Sequence, residues 1–227
     1  MNLDTLLQRP DVWRAGQVSA TVKAVPSGFA ELDAQLAGGG WPRGALTELI
    51  MPRQGIGALR LLMPALAQLS QDDRWICWVA PPHIPYAPAL VSAGIDLSRV
   101  LLVHPKAQQD GLWAVEQSLR SGNCSAVLAW PTLEDNVILR RLQLAAEAGD
   151  ALGFLFRSRR YVQRPSPAAL RLQLEPEIGG SLSVSILKRR GGRATGSIYL
   201  DTSLQHDSLA LHSRTPTAAG HSQPQWQ

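Results

Sequence analysis

Between residues 45 and 157 the chain repeats one unit: a short, nearly continuous apolar run, a punctuated loop, and a stretch of helical character. The apolar runs fall at 45–50, 75–80, 100–103, 125–130 and 152–157. The stretches between them, at 58–70, 85–94, 108–121 and 133–148, read as helices. A run that is apolar at every position, rather than at alternate ones, belongs to a strand covered on both faces. Strands that alternate with helices in this way build a mostly parallel α/β sheet. The pattern changes after Tyr161. Residues 168–175, 181–188 and 196–201 alternate, with Gly191-Gly192 as a turn signal, and they predict an antiparallel β-meander continuing the sheet on its C-terminal side.

Outside this core the signals are weaker. Residues 28–37 predict a short helix, and Gly38-Gly39-Gly40-Trp41-Pro42-Arg43-Gly44 must turn. Leu3, Leu6 and Leu7 share one helical face before Pro10. Residues 1–24 therefore read as an N-terminal arm, 25–203 as one domain, and the polar stretch 204–227 as a disordered tail.

Composition excludes several classes. The 227 residues are 45% hydrophobic and 18% charged, which suits a globular domain with a core. No apolar run reaches membrane-spanning length, and the N-terminus lacks the pattern of a secretory signal, so a cytoplasmic protein is expected. Cys77 and Cys124 lie in apolar runs and read as buried, reduced thiols; the five histidines do not gather into a metal site. Of the 22 basic residues all but Lys23, Lys106 and Lys188 are arginine, and the net charge is +4. That excess is compatible with nucleic acid or an acidic protein surface.

A strand, a tight loop and a helix over 45–70 form the outline of a phosphate-binding loop. A working loop reads G-x-x-x-x-G-K-[ST], with backbone N–H groups and a lysine on the phosphates and a hydroxyl on magnesium. The flanking sequence resembles the RecA family. Ser27-Gly28-Phe29-Ala30-Glu31-Leu32-Asp33 is similar to the segment leading into the RecA core, and residues 38–49 to the stretch just before its P-loop. The resemblance implies a RecA-like P-loop core. On that register Met51 stands at the first glycine, Pro52 matches a proline common in RecA, and Arg53, Gln54, Gly55 and Ile56 fill the loop. Gly57 stands at the lysine and Ala58 at the hydroxyl. Pro82 occupies the place of the glutamate that activates water, and Trp130 that of the Walker B aspartate. The cation, the magnesium ligands and the base are all replaced, so no ATPase activity and no cofactor are expected. Gly55 and Gly57 remain compatible with an anion-binding nest that does not hydrolyse its ligand.

Residues 39–48 and 55–66 carry a narrower resemblance, to ImuA, an accessory family of bacterial damage-induced mutagenesis. They are also similar to SulA, the cell-division inhibitor family of the SOS response. The ImuA resemblance, favoured by length and by the meander, implies a non-catalytic adaptor in translesion DNA synthesis. Its partners would be an ImuB-like inactive Y-family polymerase homologue and an error-prone DnaE-type polymerase, with RecA and DNA as further candidates. The SulA resemblance implies instead an inhibitor that blocks FtsZ polymerisation.

Two arginine-rich clusters are the candidate partner or DNA contacts. Arg157, Arg159, Arg160 and Arg164 follow the run at 152–157; Lys188, Arg189, Arg190 and Arg193 surround the glycine turn. Phosphate contacts here would make affinity fall steeply with salt. The alternative is a solvated basic edge that keeps the sheet from pairing. Trp41 and Trp113 are candidate exposed anchors, tryptophan being enriched at interface hot spots, against the alternative of core packing.

Overall fold

The computed structural model describes residues 23–132, 135–189 and 196–202. The expected arm and tail, together with Arg190 and Arg193, lie almost wholly or wholly outside the described residues. Among the described residues, ten strands and five α-helices follow in the order β1 (Ala24–Val25), α1 (Ala30–Asp33), β2 (Trp41–Pro42), β3 (Ala45–Met51), α2 (Ala58–Leu69), β4 (Trp75–Val79), α3 (Ala87–Ser92), β5 (Val100–Val103), α4 (Gln108–Arg120), β6 (Cys124–Ala129), α5 (Asn136–Gly149), β7 (Leu152–Ser158), β8 (Leu170–Pro176), β9 (Leu182–Lys188) and β10 (Ser197–Leu200).

Eight strands make one sheet in the order β10-β9-β8-β3-β7-β6-β4-β5, and β1 pairs with β2 separately. Pairings from β8 through β5 are parallel, and β8-β9 and β9-β10 are antiparallel. The sheet is therefore mixed. This corrects the expected RecA-like P-loop core. The correction has a second physical ground in the 51–57 loop, where the surroundings are aromatic and apolar, as described below.

Every residue of β3 and β6 is buried, which explains their unbroken apolar runs. The sheet separates two cores. On one face Leu49, Ile76, Trp78, Leu128, Phe154 and Phe156 meet α2 through Leu61, Leu62, Ala65 and Leu66. On the other Leu46, Cys77, Val79, Val127 and Leu155 meet Val115 and Leu119 of α4 and Leu139, Leu142 and Ala146 of α5. Strands β8 and β9 alternate because they contribute to the first core alone, through Leu170, Leu172, Leu174, Leu182, Val184 and Ile186.

The second face above β3 and β7 carries a buried ion cluster. The Glu48 carboxylate is fully buried; it accepts from Arg157 Nη1 at 2.5 Å and from Arg171 Nε at 2.6 Å. Register dictates this. Arg171 stands directly beside Glu48 on β8, and Arg157 on β7 is paired with Ile50, two residues along on the same face. Arg171 Nη2 also donates to the Tyr161 carbonyl at 2.8 Å, and the Arg157 guanidinium lies 4.0 Å above the Tyr161 ring. A second clamp closes the opposite end of the sheet. Arg74 donates to the carbonyls of Gly149 and Cys124, tying the C-terminus of α5 to β6; burial, and then the neighbouring Arg43, lower its pKa.

Several boundaries differ from expectation. The helix expected at 28–37 is a single turn, Ala30–Asp33, after which the chain continues in turns to Gly38 and Gly39 at positive φ. The helix expected at 85–94 begins only at Ala87, because Pro81, Pro82 and Pro85 hold the preceding chain extended. Trp130 lies just beyond β6 rather than inside it. Among the described residues no helix is long and apolar enough to cross a membrane.

Candidate functional site

The carboxyl ends of β3, β4, β6 and β7 meet at one edge of the sheet, and the loops that leave them enclose an apolar hollow. Met51 closes β3 and is buried; Pro52, Arg53, Gln54 and Gly55 are exposed; Ile56 turns back into the core. Gly57, with φ 97°, caps α2 without a side-chain hydrogen bond, and Ala58 opens the helix buried. Across the gap β4 is followed by Ala80, a non-glycine residue at φ 52°. The chain then leaves through Pro81 and Pro82 to His83, Ile84, Pro85 and Tyr86. From β6 comes Trp130, stacked on Phe156 with ring centroids 4.3 Å apart and planes 5° apart, and inclined to Trp78 at 6.0 Å.

The hollow has a volume of about 340 Å³ and is walled by Met51, Ala58, Trp78, Pro82, Trp130 and Phe156, with Gln54, Arg60 and His83 as its polar contributors. A second hollow, of about 330 Å³, opens on the other side of Trp130, between Val79, Ala129 and the start of α4 at Lys106, Ala107 and Gly111. Trp130 is thus a partition shared by two depressions. The stacked rings of Trp130 and Phe156 form an apolar wall of this hollow. Bringing a polyanion against them would strip its water with Arg60 as the one arginine or lysine lining the hollow, at a cost of several kcal/mol. Apolar concave walls with a few polar groups at the margin suit an inserted side chain. Ile84 and Tyr86, 79% and 73% exposed, stand at the rim and complete an apolar surface around the opening.

The other sequence-predicted residues are dispersed. Trp41, expected as an exposed anchor, is fully buried and makes an edge-to-face contact with Phe154; this is a correction. Trp113 is 65% exposed on α4. Arg157, expected to meet a partner, is sequestered by Glu48 inside the fold, a second correction with the register of β3 and β7 as its cause. Arg159 is exposed and lies 3.5 Å from Glu175, and Arg160 donates to the Tyr161 hydroxyl at 2.6 Å. Arg164 is exposed. Lys188 donates to the Ser166 carbonyl at 2.7 Å, and Arg189 to the Gln35 carbonyl. Arg157 is buried, and Arg159, Arg160, Lys188 and Arg189 hold local structure together through these contacts. Cys77 and Cys124 are both buried and unbridged. Hydrogen bonding from Cys124 draws the Cys77 thiol down to about 7 against the effect of burial; Cys124 is pushed up by that same contact and by burial.

Sequence reasoning missed three features. Glu48 had a visible signal, a lone acid within a buried-looking run. Ile84 and Tyr86 had a fainter one, apolar residues interleaved with prolines that forbid a helix there. The second hollow had none, since it is assembled from loops distant in sequence.

Comparison with known proteins identifies which part of the chain carries family character. The family model described as cell division inhibitor SulA matches residues 44–153. The cell division inhibitor SulA of Photorhabdus laumondii is 35% identical over 116 residues, covering 51% of this chain and 65% of that protein. That of Serratia proteamaculans is 35% identical over 124 residues, covering 53% of this chain and 72% of the relative. The solved structure of SulA from Pseudomonas aeruginosa aligns with a TM-score of 0.43 and 29% identity, over 50% of this chain and 97% of that one. On the sequence relationship to the Serratia protein in particular, this chain belongs to the SulA family.

Proposed function

We propose that this protein is a cell-division inhibitor that acts without turnover, by seating an apolar segment of FtsZ on the hollow between β3, β4 and β6. One observation carries the reading: the span matched by the SulA family, 44–153, contains every wall of that hollow except Phe156. The relatives matching that span are named cell division inhibitors. The chemistry agrees. An aromatic floor and an exposed Ile84–Tyr86 rim suit a protein partner, whose anchor side chains fill desolvated pockets. Expression would belong to the DNA-damage response, where blocking division gives time for repair.

The test is FtsZ assembly followed by light scattering with GTP present. Stoichiometric addition of the protein should abolish assembly, and Ile84→Asp with Tyr86→Asp should restore it while the circular dichroism spectrum stays unchanged. Undiminished assembly at several-fold molar excess would remove the reading. A second reading, an adaptor for an ImuB-like protein and an error-prone polymerase, is favoured by the strands β8, β9 and β10, which lie beyond the family-matched span. Recovery of those polymerases, and not of FtsZ, in a tagged pull-down from DNA-damaged cells would favour that second reading.

A further inference from the structure

We infer that the turn between β8 and β9 is a second rim of the hollow, and that the partner segment seated there is apolar with one carboxylate, which Arg60 binds. The inference rests on the proposed function. It adds the chemistry of the segment and a contact that lies beyond the family-matched span of 44–153.

The sheet puts the turn in place. Strand β8 runs parallel to β3, with Gln173 beside Ile50, so both strands leave the sheet at the edge where the hollow opens. Strand β3 ends one residue later, at Met51, whereas β8 continues for three, to Pro176. At about 3.3 Å per residue, the turn stands beyond the end of β3. The Glu177 N–H closes its neck by donating to the Ser181 carbonyl at 2.9 Å, and Gly179 and Gly180 take φ 79° and 86°. Thr202 ties the turn to the loop beside it. Its hydroxyl donates to the Gly180 carbonyl at 2.7 Å, and a Cβ on Gly57 would fall 3.7 Å from the same hydroxyl oxygen. A Cβ on Gly180 would fall 3.7 Å from Arg60 Nη1. Gly57 and Arg60 both line the hollow. The turn is therefore fixed at the β3 margin of the hollow, with β7 and β6 between it and the β4 margin that carries Ile84 and Tyr86.

Two properties of this arrangement select the occupant. The first is apolar surface on both margins. Ile178 at the tip of the turn is 97% exposed, where turn chemistry favours polar residues. A single exposed isoleucine is ordinary on a protein surface. This one shares an edge with Ile84 and Tyr86, and an apolar hollow lies between. The second is charge. Among the described residues no acid lines the hollow, and the Arg60 guanidinium has no ion pair or hydrogen-bond partner. An exposed guanidinium with its donors unused takes a carboxylate in a forked, charge-assisted pair. Glu177 and Asp201 are exposed beside the turn and would repel a second acid there, which makes the carboxylate single and places it at Arg60. From β8 to β4 is four strand spacings, about 19 Å. About six extended residues, or about thirteen helical ones, cover that distance.

The test attaches a benzophenone to Ile178→Cys and, separately, to Ile84→Cys of the full chain. Each is irradiated with FtsZ and GTP, and the captured peptide is identified by mass spectrometry. Cys77 and Cys124 are buried and stay unlabelled. Both positions should capture the same FtsZ segment, with Asp or Glu among apolar residues. In the assembly assay Ile178→Asp and Arg60→Glu should each raise the half-inhibiting concentration about tenfold with the thermal transition unchanged. Replacing the captured carboxylate of FtsZ by lysine should restore inhibition by Arg60→Glu. Failure of Ile178→Cys to capture FtsZ, a captured segment without a carboxylate, or inhibition indifferent to both substitutions would each overturn this inference and leave the proposed function standing. Wild-type protein that leaves FtsZ assembly undiminished would instead remove the proposed function, and this inference with it.

Discussion

Replacing Glu48 by alanine should cost more than any other single truncation of a polar side chain in this fold. The carboxylate is fully buried, and the two guanidinium groups it accepts from are 3% and 8% exposed. Removing it leaves two cations in the interior with no counter-charge. Deleting one member of a buried ion pair typically costs about 3–5 kcal/mol, because the partner is stranded. Two arginines are stranded here, but each keeps a partial substitute: the Tyr161 ring beneath Arg157 and the Tyr161 carbonyl beside Arg171. We therefore expect about 4 kcal/mol. With an m-value of about 2.5 kcal/mol/M for urea, the midpoint should fall by about 1.5 M.

Glutamine is not a mild replacement. Its amide offers one acceptor, and its NH₂ would point at an arginine donor, so one of the two bonds becomes a donor–donor contact. We expect about 3 kcal/mol for Glu48→Gln. Urea unfolding followed by tryptophan fluorescence measures both. The decisive companion is the apolar triple variant Glu48→Leu, Arg157→Met, Arg171→Met, which should recover most of the loss because no charge is left buried. A Glu48→Ala midpoint shift equivalent to less than about 1 kcal/mol would refute the argument, since the cluster would then be open to water or already replaced by other contacts.

Four further outcomes are expected. Gly149→Ala should destabilise by about 1–3 kcal/mol in the same unfolding assay, because an added Cβ would fall 1.9 Å from the Leu119 carbonyl oxygen where α5 and α4 touch. Gly57→Lys with Ala58→Thr should yield no ATP turnover in a phosphate-release assay and should lose about 1–3 kcal/mol of stability, because φ 97° strains any side chain there. Trp130→Ala should merge the two hollows, remove the stack on Phe156 and, under the proposed function, relieve the block on FtsZ assembly well beyond what its stability loss of about 2–3 kcal/mol explains. Neither Cys77 nor Cys124 should react with an aromatic disulfide reagent in the native protein at pH 8, and both should react in denaturant; their burial outweighs the lowered pKa of Cys77.

The strands buried on both faces were legible because continuous apolar composition is what two covered faces demand; β3, β6 and β7 lie within a residue or two of their expected positions. Trp41 was misjudged for a physical reason. Its glycine-rich surroundings resemble an exposed turn, yet Gly40 is there because a Cβ would fall 2.2 Å from the Val25 carbonyl oxygen. The backbones of β1 and β2 pass that closely, and the approach carries Trp41 onto Phe154. Arg157 was misjudged because local sequence shows the charge but not the register that sets it near Glu48, 109 residues earlier. For the site, the replaced positions Met51, Ala58, Pro82 and Trp130 were visible one by one, and all four do line one hollow. What the sequence could not convey was that Trp130 would stack on Phe156 and form an aromatic wall of that hollow.

That wall and the segment opposite it act together. Ala80 holds φ 52°, a conformation that costs a residue with a Cβ about 1–3 kcal/mol, while its N–H remains bonded to Val103 O. The strain turns the chain sharply as β4 ends, and Pro81, Pro82 and Pro85 prevent it from relaxing into a helix before Ala87. The result is a stiff loop whose apolar residues, Ile84 and Tyr86, stand in solvent at the rim of an apolar hollow. Exposure of two large side chains on a restrained backbone is unfavourable for the isolated molecule, but little conformational entropy remains to be lost when a partner covers them. The same loop with Ala80 replaced by glycine would be relieved of strain and free to move. Alanine-to-glycine change at this position should therefore leave unfolding nearly unaltered, the relief offsetting the added chain entropy, while weakening the proposed inhibition of FtsZ assembly several-fold. Equal inhibition by Ala80→Gly would mean that the rim is ordered only on contact, and that its stiffness contributes nothing to binding.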